Sequence, residues 1–170
     1  MKKGSFYLTY VLLVIAQMLI CNYLHLSPYV MLSILPVMVL CIPLRVSTIG
    51  AMLIAFVTGL SVDLLAEGIL GLNALALVPV ALVRKSVVRL IFGDELFARK
   101  EDFSVRKNGF AKVMLAIFIV QALLLVIYIW ADGAGTRPFT FNAIRFGVSL
   151  AAGVLVSLLI IDVLAPDTRK

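Results

Sequence analysis

The stretch GLSVDLLAEGILGLNALAL, residues 59–77, places two carboxylates among glycines and long apolar side chains. If the chain is helical there, Gly59, Asp63 and Glu67 lie on one face, because residues four apart are neighbours on a helix. Asp63 is flanked by apolar residues, so we expect it to face protein and to cap the next helix, whose free N–H groups favour an anion. For Glu67 a wetted position at the membrane surface is an equal alternative.

The composition identifies the class of protein around this stretch. The chain has 170 residues, of which 63% are hydrophobic and 14% are charged, and its mean hydropathy is +1.13. Soluble domains are about 45–50% apolar and about 25% charged. The sequence therefore predicts an all-α integral membrane protein, with room for about six spans of roughly 20 residues.

Hydropathy and helix-breaking residues predict one membrane domain over residues 1–170, with six helices. The expected spans are about 5–23, 28–44, 46–65, 69–83, 110–130 and 141–164, and an amphipathic cytoplasmic segment covers 84–109. The second span contains Pro36 and Pro43, so a kink is expected there. The fourth is short, and we expect it to extend toward Glu67 or past Arg84.

The distribution of basic residues predicts the orientation. With both termini in the cytoplasm, 13 of the 15 Lys and Arg residues lie inside, which leaves only Arg137 and Arg145 outside. The opposite orientation would break the rule that basic residues collect on the cytoplasmic side.

The opening stretch resembles the motif of the rod shape-determining protein MreD family. The positions that carry the resemblance are Gly59, Asp63, Leu64, Leu65, Gly68, Leu70, Gly71, Ala74 and Leu75. The length and the six-span layout also fit. Asn73 is expected to be a polar contact inside the fourth helix, hydrogen-bonded to a neighbouring span.

The resemblance implies a function. Members of this family are non-catalytic subunits of the bacterial inner membrane that support lateral peptidoglycan synthesis and cell shape. They bind the bitopic protein MreC, and through it they associate with RodA, with its transpeptidase partner and indirectly with MreB. Their fold is similar to that of the S-components of energy-coupling-factor transporters.

That fold similarity leaves a second function open, the substrate-binding subunit of a vitamin transporter. Such subunits generally carry small residues four apart in the first span, where they dock on their coupling partner. Here the first span has a single alanine, Ala16, and no Ala-x-x-x-Ala. Its absence favours the scaffold.

No set of residues predicts catalysis, a metal site or a cofactor. His25 is the only histidine, and no acidic residue lies near it in sequence. Cys21 and Cys41 are expected near opposite membrane faces, which excludes a disulfide. Asp162 is expected at the inner end of the bundle, away from the other carboxylates. No nucleic acid is expected as a partner.

Two further hypotheses concern charged residues. Arg145 is expected in the outer half of the sixth span, where it either reaches the interface or forms an ion pair with Asp63 or Glu67. The amphipathic segment is either a surface helix held by anionic lipid or a docking face for a cytosolic partner. Its candidate docking residues are Arg84, Lys85, Arg89, Phe92 and Phe97.

Overall fold

The computed structural model describes residues 3–23, 30–93, 109–133 and 136–164. Its helices are α1 (Lys3–Tyr23), α2 (Leu35–Leu40), α3 (Thr48–Val62), α4 (Leu72–Phe92), α5 (Phe110–Gly133) and α6 (Phe139–Leu164), with a π-helical turn over Asp63–Glu67. Within these ranges there is no β-strand.

In the part of the chain that the structure describes, three stretches are long and apolar enough to cross a membrane, namely Thr48–Ala66, Phe110–Gly133 and Phe139–Ile161. Large apolar side chains also cover the outside of the bundle. Leu155 and Leu159 of α6 are 65% and 75% exposed. Large apolar residues on α1 and α3 are exposed to a similar degree. An outer surface of this kind suits lipid, and the chain is an all-α membrane protein.

The short helix α2 occupies the centre of the bundle. All six of its residues are buried, and it packs against α1, α3, α4, α5 and α6. The longer helices pack as a sequential series, α3 on α4, α4 on α5 and α5 on α6. Helix α1 is tied to α3 by the Tyr10 hydroxyl, which lies 3.2 Å from the Thr58 hydroxyl.

The second predicted span differs from the structure. In the described part of that span, residues 30–44, helix is present only over Leu35–Leu40, and residues 30–34 have no regular secondary structure. Six helical residues rise about 9 Å, against roughly 30 Å of hydrocarbon. Pro36 explains the late start, because proline is tolerated in the first turn of a helix and disrupts its interior.

The fourth predicted span continues past Arg84, which was one of the two extensions expected. Helix α4 ends at Phe92, where Gly93 follows, so residues 84–92 belong to α4 and not to a separate amphipathic segment. The remainder of that predicted segment, residues 94–108, lies outside the described residues.

Candidate functional site

A π-helical turn presents Asp63 to the bundle interior. The Gly68 N–H donates to the Asp63 carbonyl at 2.8 Å, a bond that spans five residues and not the four of an α-helix. Such turns are rare and frequently occur at functional sites. The turn ends at Gly68, whose φ of 72° is left-handed.

The Asp63 side chain is fully buried and accepts four hydrogen bonds. Oδ2 accepts from the N–H groups of Gly71 at 3.0 Å and Ala74 at 3.2 Å. Oδ1 accepts from the N–H and from Nδ2 of Asn73, both at 2.9 Å. Every donor belongs to residues 71–74, so one carboxylate holds the start of α4.

This arrangement explains how a charge is stable inside an apolar bundle. The first turn of a helix leaves N–H groups without intrahelical partners, and each would be costly in a dry environment. An anion at that position is stabilised by the helix dipole and by hydrogen bonds to its charge. Asp63 is the cap that the sequence predicted, although it lies eight residues before Gly71, the N-cap residue that directly precedes the helix.

Two glycines make this geometry possible. Gly71 has φ of 93°, a left-handed conformation that side chains disfavour. At Gly59 an added Cβ would lie 2.6 Å from both the N and the Cα of Ala74. The backbones of α3 and α4 therefore touch beside the carboxylate, and Gly59 belongs to the same unit as Asp63.

Among the other motif residues, some are exposed at the surface and one, Asn73, takes part in the hydrogen bonds around Asp63. Asn73 is buried, and the neighbour that it bonds is Asp63 itself. Leu64 is 58% exposed and Gly68 is exposed, so neither contributes to the interior of the site. The side chain of Glu67 lies outside the described part of the chain.

Arg145 has a different partner from the one considered in the sequence. Its Nη1 donates to Asp132 Oδ2 at 2.5 Å, and Arg137 Nη1 donates to the same oxygen at 2.7 Å. The Asp63 carboxylate is hydrogen-bonded to the start of α4, and Arg145 is paired with Asp132. The predicted ion pair between Asp63 and Arg145 is therefore not present. One carboxylate here joins two guanidinium groups, and Arg145 also lies over the Tyr128 ring at 6.0 Å.

Sequence reasoning missed a second polar site, around the irregular segment 30–34. Gln17 of α1 donates from Nε2 to the Leu32 carbonyl at 3.1 Å and accepts from the Ile34 N–H at 2.8 Å. The Met31 N–H donates to the Ser149 hydroxyl at 2.8 Å. Gln121 donates to the Ser33 carbonyl at 3.2 Å. Side chains from three helices thus supply hydrogen-bond partners for the backbone of this segment. Non-helical backbone inside a membrane requires such partners, because no water is there to replace them.

Arg84 was predicted as a docking residue, but it lies in the interior of the bundle. This side chain is fully buried, and its Nη1 donates to the Ile42 carbonyl. Arg89 is exposed and Lys85 and Phe92 are partly buried, so these three remain available at the surface. Phe97 lies outside the described residues.

Within the described ranges, no group of three histidine, cysteine, aspartate or glutamate residues could hold a metal ion. Neither Cys21 nor Cys41 forms a disulfide with the other, and Cys41 is buried. His25 falls outside these ranges.

No family model, curated protein or solved structure matches the chain.

Proposed function

We propose that the protein is a non-catalytic scaffold of the bacterial cell-elongation machinery. In this proposal it lies in the inner membrane with both termini in the cytoplasm. It binds an MreC-like bitopic protein and supports lateral peptidoglycan synthesis together with RodA, its transpeptidase partner and, indirectly, MreB. The proposal rests on the resemblance of residues 59–77 to the MreD family.

The observation that supports the proposal most is that the motif residues form the junction between α3 and α4. Gly59, Asp63, Gly71 and Asn73 together fix one helix start against one helix end. All four bonds of the Asp63 carboxylate go to the chain's own N–H groups, so its charge is committed to architecture. Residues with that role suit a protein that presents a shaped surface to a partner.

The surface next to this unit suits a single apolar helix. Leu64, Leu65, Ile69 and Leu70 are between 54% and 69% exposed, and all four lie on the short connection from α3 to α4. Because Asp63 fixes that connection, these side chains are held in place. In the proposal they form the contact with the partner's transmembrane segment.

The experiment that tests this contact is photo-crosslinking in a rod-shaped bacterium. A photoreactive amino acid replaces Leu65 or Leu70, and a matched variant carries it at Leu159, which is 75% exposed on α6. The proposal expects an adduct with the MreC-like protein from Leu65 or Leu70 and none from Leu159. Equal adducts from all three positions would show non-specific membrane collisions and would contradict it.

A transporter subunit remains the second candidate, because one observation favours it. Binding sites of transporters often use unwound backbone inside the bundle. Residues 30–34 have this character, and the Oε1 of Gln121 beside them is buried without a hydrogen-bond partner. In this alternative, a small substrate occupies the space around that segment. Co-purification with a coupling membrane protein and paired ATPases would support it.

A further inference from the structure

Arg84 is a buried cation for which the described part of the chain supplies no counter-charge. It is 0% exposed and is one of the largest fully buried side chains in the bundle. Among the described residues, its guanidinium makes one hydrogen bond, from Nη1 to the Ile42 carbonyl. Removing such a charge from water is costly unless an anion and hydrogen bonds offset the loss.

The unused atoms of Arg84 form one recognition edge. Nε and Nη2 are both buried without a hydrogen-bond partner. These two nitrogens lie side by side on the guanidinium, where their N–H groups point in parallel. That edge matches the two oxygens of a carboxylate or phosphate in a bidentate pair. The missing partner is therefore one oxyanion.

The described carboxylates are committed elsewhere. Asp63 holds the N-terminus of α4, and Arg84 lies 13 residues after Gly71, about 20 Å along the helix axis. Asp132 is shared by Arg137 and Arg145. An anion for Arg84 must then come from outside the described residues.

The surroundings of Arg84 favour a phosphate from a lipid. Lys85 and Arg89 follow it on α4, and Arg45 lies in the turn whose Ile42 carbonyl Arg84 binds. Basic residues gathered at one end of a helix bundle bind the headgroups of anionic lipids. A single carboxylate from a protein partner would pair with Arg84 alone and would leave the other three basic residues without a role.

We propose that the Nε–Nη2 edge of Arg84 binds the phosphate of an anionic phospholipid at the basic end of the bundle. The headgroup approaches from the side of the α2–α3 turn, residues 41–47, where Arg45 and Ser47 are exposed. Lys85 and Arg89 raise the local concentration of anionic lipid, and Arg84 makes the specific contact. This site is independent of the proposed scaffold function.

The test compares thermal unfolding of the full chain in three conditions: phosphatidylcholine, the same lipid with phosphatidylglycerol, and phosphatidylcholine with inorganic phosphate. The variants are Arg84→Met, which fills similar volume without charge, and Arg84→Lys, which keeps the charge without the fork. Lys112→Met removes one exposed charge and is the matched control.

The proposal expects phosphatidylglycerol to raise the apparent Tm of the wild type and of Lys112→Met by about 5 °C. Arg84→Met should show almost none of that gain, and Arg84→Lys a reduced one. In phosphatidylcholine alone Arg84→Met should melt above the wild type, since it no longer buries an unpaired charge. The order of the two proteins should then reverse in phosphatidylglycerol.

Three results would overturn the proposal. An equal gain in Arg84→Met would mean that the lipid acts elsewhere. An Arg84-dependent gain with inorganic phosphate alone would assign the site to a soluble anion and not to lipid. No Arg84-dependent gain in any condition would exclude a phosphate, and the occupant would then be a carboxylate from a protein partner or from acidic residues of this chain outside the described ranges.

Discussion

The carboxylate of Asp63 and the first turn of α4 meet at Asn73, which donates both its backbone N–H and its side-chain Nδ2 to Asp63 Oδ1 at 2.9 Å. This pair joins the end of one apolar helix to the start of the next. The exposed leucines between them are held by that junction, so its stability governs the shape of the surface that we propose as the partner contact.

Replacing Asp63 should destabilise the protein strongly. Asp63→Ala leaves the N–H groups of Gly71, Asn73 and Ala74 without their acceptor in an apolar interior. We expect a loss of about 3 kcal/mol in the free energy of unfolding, in line with the removal of buried charged hydrogen bonds. Unfolding in mild detergent measures it. Asp132→Ala removes a carboxylate that is 13% exposed and not fully buried, and it should lose clearly less. An equal loss from both variants would contradict the special role of Asp63.

Replacing Gly59 by alanine should also be costly, for a steric reason. The new Cβ would lie 2.6 Å from backbone atoms of Ala74, so α3 and α4 would have to separate. We expect a loss of about 1–3 kcal/mol. Gly147→Ala is the matched control, because it lies in helix α6 with no atom within 4 Å of the added Cβ. That substitution should be neutral or stabilising, since alanine favours helix over glycine.

Removing the amide of Gln17 should loosen the central segment. Gln17→Leu keeps the volume but leaves the Ile34 N–H and the Leu32 carbonyl unpaired. We expect a loss of about 2 kcal/mol and faster hydrogen exchange over residues 30–40. Ser61→Ala is the control, because the Ser61 hydroxyl bonds only to the Val57 carbonyl of its own helix. Unchanged exchange in Gln17→Leu would show that the amide does not hold this segment.

The partner of Arg145 can be tested by double-mutant cycles. The cycle of Arg145→Met with Asp132→Asn should give a coupling of about 1 kcal/mol, because the two side chains are hydrogen-bonded and mostly buried. The cycle of Arg145→Met with Asp63→Asn should give a coupling near zero. The reverse result would restore the pairing considered from the sequence.

The sequence predicted the features whose causes are local. The Asp63 cap could be inferred because the carboxylate, the glycines and the helix start all lie within residues 59–72. The class of all-α membrane protein followed from composition. The shortness of the fourth apolar run predicted an extension either toward Glu67 or past Arg84, and the structure has the second.

Features that depend on distant residues were not predictable in the same way. Arg145 was expected at the same membrane depth as several carboxylates. Depth alone does not determine which of these carboxylates forms the ion pair with Arg145. The apolar run around α2 looks like a span, because hydropathy does not distinguish a spanning helix from a buried segment held by Gln17, Gln121 and Ser149. Only Pro36, well placed for the first turn of a helix, signalled the later start.

The proposed scaffold for a bitopic membrane partner in cell elongation should keep that partner bound when it is purified. The most direct measurement is purification of the tagged chain in mild detergent, followed by mass spectrometry of the proteins that remain bound. The account predicts an MreC-like protein with RodA and its transpeptidase partner from the wild type, and their loss from Asp63→Ala but not from Gly147→Ala. Recovery of paired ATPases with a coupling membrane subunit would contradict it and would make the protein a transporter component.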